Sequence, residues 1–116
     1  MSSETPALFI ALVEIPEEHA ADFQRWRDEE MVPTQLAVPG FRSIRCFEAV
    51  EAPENPYSGD NLTARFLNIY EVDHLETLQK AAADSGSGQS EWSKRVHGNM
   101  TKVSLNAYTE VKPREA

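Results

Sequence analysis

The sequence predicts an α+β domain of order β-α-β-β-α-β, with two helices on one face of a four-stranded antiparallel sheet. Three observations predict it. Two strand-length runs, "ALFIALVEI" (7–15) and "LTARFLNIYEV" (62–72), are apolar on both alternations, as strands buried on both faces are. In residues 17–31 and in "HLETLQKAAA" (74–83) the apolar spacing changes to three and four, the helical period. Turn signals separate the elements: Pro16, "VPG" at 38–40 and "EAPENPYSGDN" at 51–61.

Taken in order, residues 7–15 form a first strand that belongs in the sheet interior. Pro16 ends it, and Glu17 and Glu18 place negative charge in a first helical turn, where the macrodipole favours it. Helix one runs from Glu17 to about Met31. Ala20, Phe23, Trp26 or Arg27, and Glu30 or Met31 form its apolar face, while Asp22, Arg25, Asp28 and Glu29 fall on the other side. Pro33 is expected to end or bend it. "FRSIRCFEAV" (41–50) is strand two, residues 51–61 are a loop, and residues 62–72 are strand three. Asp73 can N-cap helix two. "DSGSGQSEWSKRVHGN" (84–99) reads as a flexible stretch with a helical turn around Trp92, and "MTKVSLNAYTEVK" (100–112) as strand four. Residues 1–6 are expected to be disordered.

This order is the ferredoxin-like split βαβ pattern. Its inner strands are the first and third, the two that read as buried on both sides. Two helices cover only one sheet face, yet the strands are apolar on alternate positions too. The second face is therefore expected to pack on a second copy, giving a twofold homodimer.

The 116 residues suit one domain spanning 1–116. A net charge of −8 argues against nucleic acid, whose phosphates require a basic face, and against anionic membrane surfaces. With Cys46 the only cysteine, neither an internal disulfide nor a thiolate metal cluster can form, and a reducing cytoplasm is expected. The N-terminal residues lack a basic region, and their apolar run is too short to span a bilayer. No metal site is expected: His19, His74 and His97 are far apart, and consecutive carboxylates on a helix diverge.

Residues 23–41, "FQRWRDEEMVPTQLAVPGF", resemble the segment W-Y-D-E-E-H-x-P-D-L-L-x-x-P-G-F of EthD-like and related dimeric α/β-barrel proteins. Trp26, Asp28, Glu29, Glu30, Pro33, Leu36, Pro39, Gly40 and Phe41 match in register. The resemblance implies a dimeric α/β barrel. It leaves activity open, because that superfamily holds monooxygenases, haem-degrading enzymes, isomerases, cyclases, dehydratases and members with no known activity. Arg27 stands in place of the tyrosine, Met31 in place of the histidine and Thr34 in place of the aspartate. In relatives with proposed chemistry the histidine is the acid–base or ligand-binding group, and methionine transfers no proton.

The residues left with chemistry are few. Glu30, on the Phe23/Trp26 side of helix one, is a candidate general base or a carboxylate paired with Arg27, Arg42 or Arg45. Phe23, Trp26 and Met31 either wall an apolar ligand pocket or pack helix one on the sheet. His97 is the remaining proton-transfer candidate; the resemblance also gives it a role as a haem ligand. Asn68 and Tyr70 share one side of strand three, and Ser104, Asn106 and Tyr108 share one side of strand four. These polar positions either line a cavity or form a hydrogen-bonded dimer seam.

Three functions follow. The first is a cofactor-independent protein that binds a small organic molecule, an isomerase, cyclase or dehydratase for a polyketide-like or aromatic intermediate. Glu30 and His97 would be its acid–base pair, and Phe23, Trp26, Met31, Arg45, Tyr70 and Asn106 would bind the substrate. The second is a non-catalytic dimeric binding or accessory protein, and the third a monooxygenase with or without haem.

Overall fold

The computed structural model describes residues 6–50, 64–84 and 89–111. Residues 1–5 of the end expected to be disordered at 1–6, the loop expected at 51–61 and the Ser-Gly run 85–88 lie outside the described residues.

Strand β1 (Ala7–Glu14) is central, as its double apolarity predicts. It pairs antiparallel with β3 (Phe66–Val72) on one side and with β4 (Lys102–Thr109) on the other. Strand β2 (Phe41–Glu48) adds antiparallel to the far side of β3, so the order is β2-β3-β1-β4, with β1 and β3 inside. Strand ends follow pairing rather than composition. β2 stops at Glu48 because its partner Phe66 is the first residue of β3, two residues short of the predicted Val50.

Four α-helices and a π-helical turn are present among the described residues, where the sequence predicts two helices and a turn. Helix α1 (Glu17–Trp26) starts at Pro16 and buries Ala20, Phe23 and Trp26. Pro33 neither ends nor breaks the helix that follows. A proline lacks the N–H and crowds the carbonyl four residues back, and the chain accommodates it by widening. Arg27–Met31 forms a π-helical turn in which the Val32 N–H bonds the Arg27 carbonyl, five residues back. Helix α2 (Val32–Leu36) then carries Pro33 in its first turn. Such π turns are rare and frequent at functional sites.

Gly40, with φ +97°, turns the chain into β2, and a Cβ there would meet Asp73 Oδ1 and the Thr77 side chain at 2.8 Å. Helix α3 (Leu75–Asp84) follows β3. The Asp73 carboxylate accepts the Thr77 hydroxyl at 2.6 Å, while its N–H donates to the Gly40 carbonyl. The segment around Trp92 is a full helix, α4 (Glu91–Gly98), because Ser90 caps it by accepting the Ser93 N–H at 3.0 Å.

Helices α1, α3 and α4 lie on the face presented by Ala7, Ala11 and Val13 of β1 and by Phe66, Asn68 and Val72 of β3, which are buried. Phe23 stacks on Phe66 at 4.7 Å, and Trp26, Val96, Val13 and Ile15 complete that core. Leu78 of α3 closes a second cluster on Ala7 and Val72. α1 and α4 are tied at the surface: Asp22 accepts from Arg95 at 2.9 and 3.0 Å and from the Trp92 indole at 3.0 Å. The Arg95 hydrogen bond holds the Asp22 carboxyl below the usual carboxylate value. A depressed folded value stabilises above the unfolded value, and that stabilisation is lost as pH falls through the folded one. Asp22→Asn is expected to lower Tm at neutral pH, with the gap to wild type closing below about pH 4 in thermal melts followed by circular dichroism.

The opposite sheet face is open. Leu8, Ile10 and Leu12 of β1 point there with Leu67 and Ile69 of β3, flanked by Phe47 and Tyr108. Every residue of β4 is exposed, Leu105 at 55%. No helix among the described residues is long and apolar enough to cross a membrane.

Candidate functional site

The sequence-predicted residues divide between the two sheet faces. Ile10 registers with Ile69 and with Asn106, and Ile69 with Arg45, so Arg45 and Asn106 stand on the open face. Tyr70 stands on the helix face, opposite Phe9 of β1 and Ile44 of β2. Phe23, Trp26, Glu30, Met31 and His97 also belong to the helical layer. The polar positions therefore serve two surfaces. Ser104, Asn106 and Tyr108 border the open face, whereas Asn68 and Tyr70 lie under the helices.

The π-helical turn organises the second group. Its widened register keeps Glu30 and Met31 on the inner side after Trp26. The Trp26 indole N–H donates to Glu30 Oε2 at 2.9 Å, and the Ser90 hydroxyl donates to the same oxygen at 2.5 Å. Glu30 thus joins the π turn to the cap of α4. It is paired with neither Arg27, Arg42 nor Arg45 among the described residues; Arg27 binds Asp28 at 2.9 Å instead. Both bonds fall on Oε2, so Oε1 takes no part in them.

The His97 ring meets the Trp26 indole edge-on at 5.3 Å. His97 Nδ1 lies 3.2 Å from the Ser93 hydroxyl, leaving Nε2 outward on an exposed residue. Trp26 therefore contacts both groups proposed as an acid–base pair.

Met31, where the resembling proteins carry histidine, meets the floor of the site. Tyr70 Oη donates to Met31 Sδ at 3.7 Å, a weak acceptor for a phenol. Phe9 and Phe41 flank the Tyr70 ring at 5.6 and 6.4 Å. Burial pushes the Tyr70 phenol above its ordinary value, with a hydrogen bond from the Asn68 side chain opposing, so it stays a neutral donor at physiological pH. Asn68 is 3% exposed, and its Oδ1 finds no donor among the described residues. Cys46, its partner across β2, has its thiol pushed up by burial, against the nearby Arg27 charge. A packed thiol of that kind is a poor nucleophile. Among the described residues no group of three or more His, Cys, Asp or Glu side chains is placed to hold a metal.

Sequence reasoning missed Ser90 and Ser93. A serine directly before the "EWSKRV" segment was the available signal, since serine is a favoured N-cap.

This geometry belongs to a known architecture. An EthD family protein from Bacillus halodurans superposes with a TM-score of 0.58 at 20% identity, over 91% of this chain and 99% of that one. The chain has the ferredoxin-like fold of EthD-type proteins. A protein of Bordetella bronchiseptica, provisionally named an antibiotic biosynthesis monooxygenase, gives a TM-score of 0.68 at 16% identity over 93% of this chain and 99% of that one. A dimeric ferredoxin-like protein from an uncultured marine organism gives 0.66 at 16% identity over 100% and 96%. No family model and no curated protein sequence matches the chain. At these identities the likeness of the three structures is one of fold.

Proposed function

We propose that this protein is a cytoplasmic homodimer that binds a small aromatic or polyketide-like molecule between the π-helical turn and the sheet. The observation that carries this reading is the Tyr70 phenol, half-buried beside Met31 among aromatic rings, hydrogen-bonded with the Asn68 side chain and donating to a thioether sulfur. A neutral phenol in an apolar wall suits a ligand carbonyl far better than it suits methionine. Trp26, Phe23 and Met31 supply the rest of the wall.

The reaction that this arrangement supports is proton transfer without a cofactor, as in isomerisation, cyclisation or dehydration. Tyr70 would bind the carbonyl oxygen and stabilise it as an enolate. Glu30 Oε1 and His97 Nε2 would move the proton, held in place through Trp26, Ser90 and Ser93. With 2-tetralone, an enolisable aryl ketone, as probe, the protein is expected to accelerate deuterium exchange at the α-carbon, read by NMR. The Glu30→Gln, His97→Ala double variant is expected to lose about 100-fold or more of that acceleration. An unchanged rate in the double variant would remove the acid–base pair and leave a binding or accessory protein.

Similarity to the Bordetella protein favours a second reading, an oxygen-using monooxygenase. Oxygen uptake with an aromatic phenol would support it, and a Soret band on adding haemin, lost in His97→Ala, would make it haem-dependent.

The dimer is proposed through the open sheet faces, on the exposed apolar side chains of β1 and β3 and by analogy with the dimeric marine protein. It leaves the helix-face site of each copy accessible.

A further inference from the structure

We infer that Asn68 and Tyr70 select the ligand: an uncharged aromatic molecule carrying a hydrogen-bond donor beside a carbonyl, such as a carboxamide, an enol or a hydroxy ketone. The inference rests on the pocket reading above and adds the chemistry that the pocket recognises.

Asn68 Oδ1 is an acceptor only. It is buried on the helix face with no donor among the described residues, and a buried polar atom in that condition calls for a partner. A ligand meets the need by bringing an N–H or O–H. Tyr70, two residues along and on the same side of β3, has the complementary requirement. Its hydroxyl donates to a thioether sulfur at 3.7 Å, and a carbonyl oxygen is the stronger acceptor. Side by side, the two residues read a donor and an acceptor on neighbouring ligand atoms.

Charge excludes the anionic relatives of such molecules. Arg27, the cation of the π-helical turn, is committed to Asp28 at 2.9 Å, and the Glu30 carboxylate stands on the same turn. The rings of Phe9 and Phe41 beside Tyr70 favour a flat aromatic body.

Calorimetric titration of the full chain with 2-naphthamide, methyl 2-naphthoate and 2-naphthoate tests this. The three share one ring system. The amide offers a donor and an acceptor, the ester an acceptor only, and the carboxylate a charge. The amide is expected to bind about tenfold or more tighter than the ester, as a site built around a hydrogen bond rejects the analogue lacking it, with the carboxylate weakest. Asn68→Leu should bring the amide down to the affinity of the ester. Tyr70→Phe should weaken amide and ester by similar factors and keep their ratio. Equal affinities for amide and ester in the wild type, or an unaltered ratio in Asn68→Leu, overturns the selection while leaving the pocket standing. If none of the three binds, the pocket reading itself falls.

Discussion

Replacing Phe66 by alanine is expected to cost about 3–5 kcal/mol, a large share of the roughly 5–15 kcal/mol that holds a domain together. Phe66 is fully buried at the start of β3, and its ring stacks on Phe23 at 4.7 Å. It is the residue through which α1 sits on the sheet, so its loss removes apolar area and leaves a cavity that rigid strands on both sides cannot close. The π-helical turn continues from α1, and Glu30 and Met31 are placed by that seat. The urea midpoint is expected to fall steeply, with the m-value unchanged. A loss below about 1 kcal/mol, typical of a surface position, would mean that α1 is held by something other than this stack.

Ile69→Lys is expected to separate the proposed dimer into monomers. Ile69 lies in the middle of the open face, registered between Ile10 on β1 and Arg45 on β2. In a twofold interface the substitution enters twice, bringing two unpaired ammonium groups into an apolar seam. Burying a charge without a partner costs on the order of 3 kcal/mol or more, which corresponds to a dimer Kd raised at least about 100-fold. Light scattering at micromolar concentration should report twice the 13.0 kDa chain mass for wild type and the single mass for the variant. A wild-type mass near one chain would contradict the interface outright. Because Ile69 faces away from the helices, Tyr70 and Met31 should keep their contact in the monomer.

The fold was legible because it rests on apolar pattern. Double apolarity placed β1 and β3 inside the sheet, and β2-β3-β1-β4 followed. What escaped the pattern was decided by hydrogen bonds. Pro33 reads as the end or a bend of helix one, and a π turn absorbs it by moving one bond to the fifth residue back. Ser90 turns an expected single turn around Trp92 into a capped helix. The site was legible only in part for a related reason. Composition shows that Asn68, Tyr70, Asn106 and Arg45 are polar positions in apolar strands; it does not show which face each takes. Strand register decides that, and it sends Arg45 and Asn106 to the open face and Asn68 and Tyr70 beneath the helices. Glu30 showed a similar limit, since its partners proved to be an indole four residues back and a hydroxyl sixty residues ahead.

In the proposed function the ligand of this protein sits under the π-helical turn. The most direct measurement is a titration of ¹⁵N-labelled protein with 2-naphthamide, followed by amide chemical shifts. Changes are expected to concentrate at Arg27–Met31 and at Asn68–Tyr70, saturating together. Shifts confined to Arg45–Phe47 and Ser104–Tyr108, with the π-helical turn unmoved, would place the ligand on the open face and contradict it.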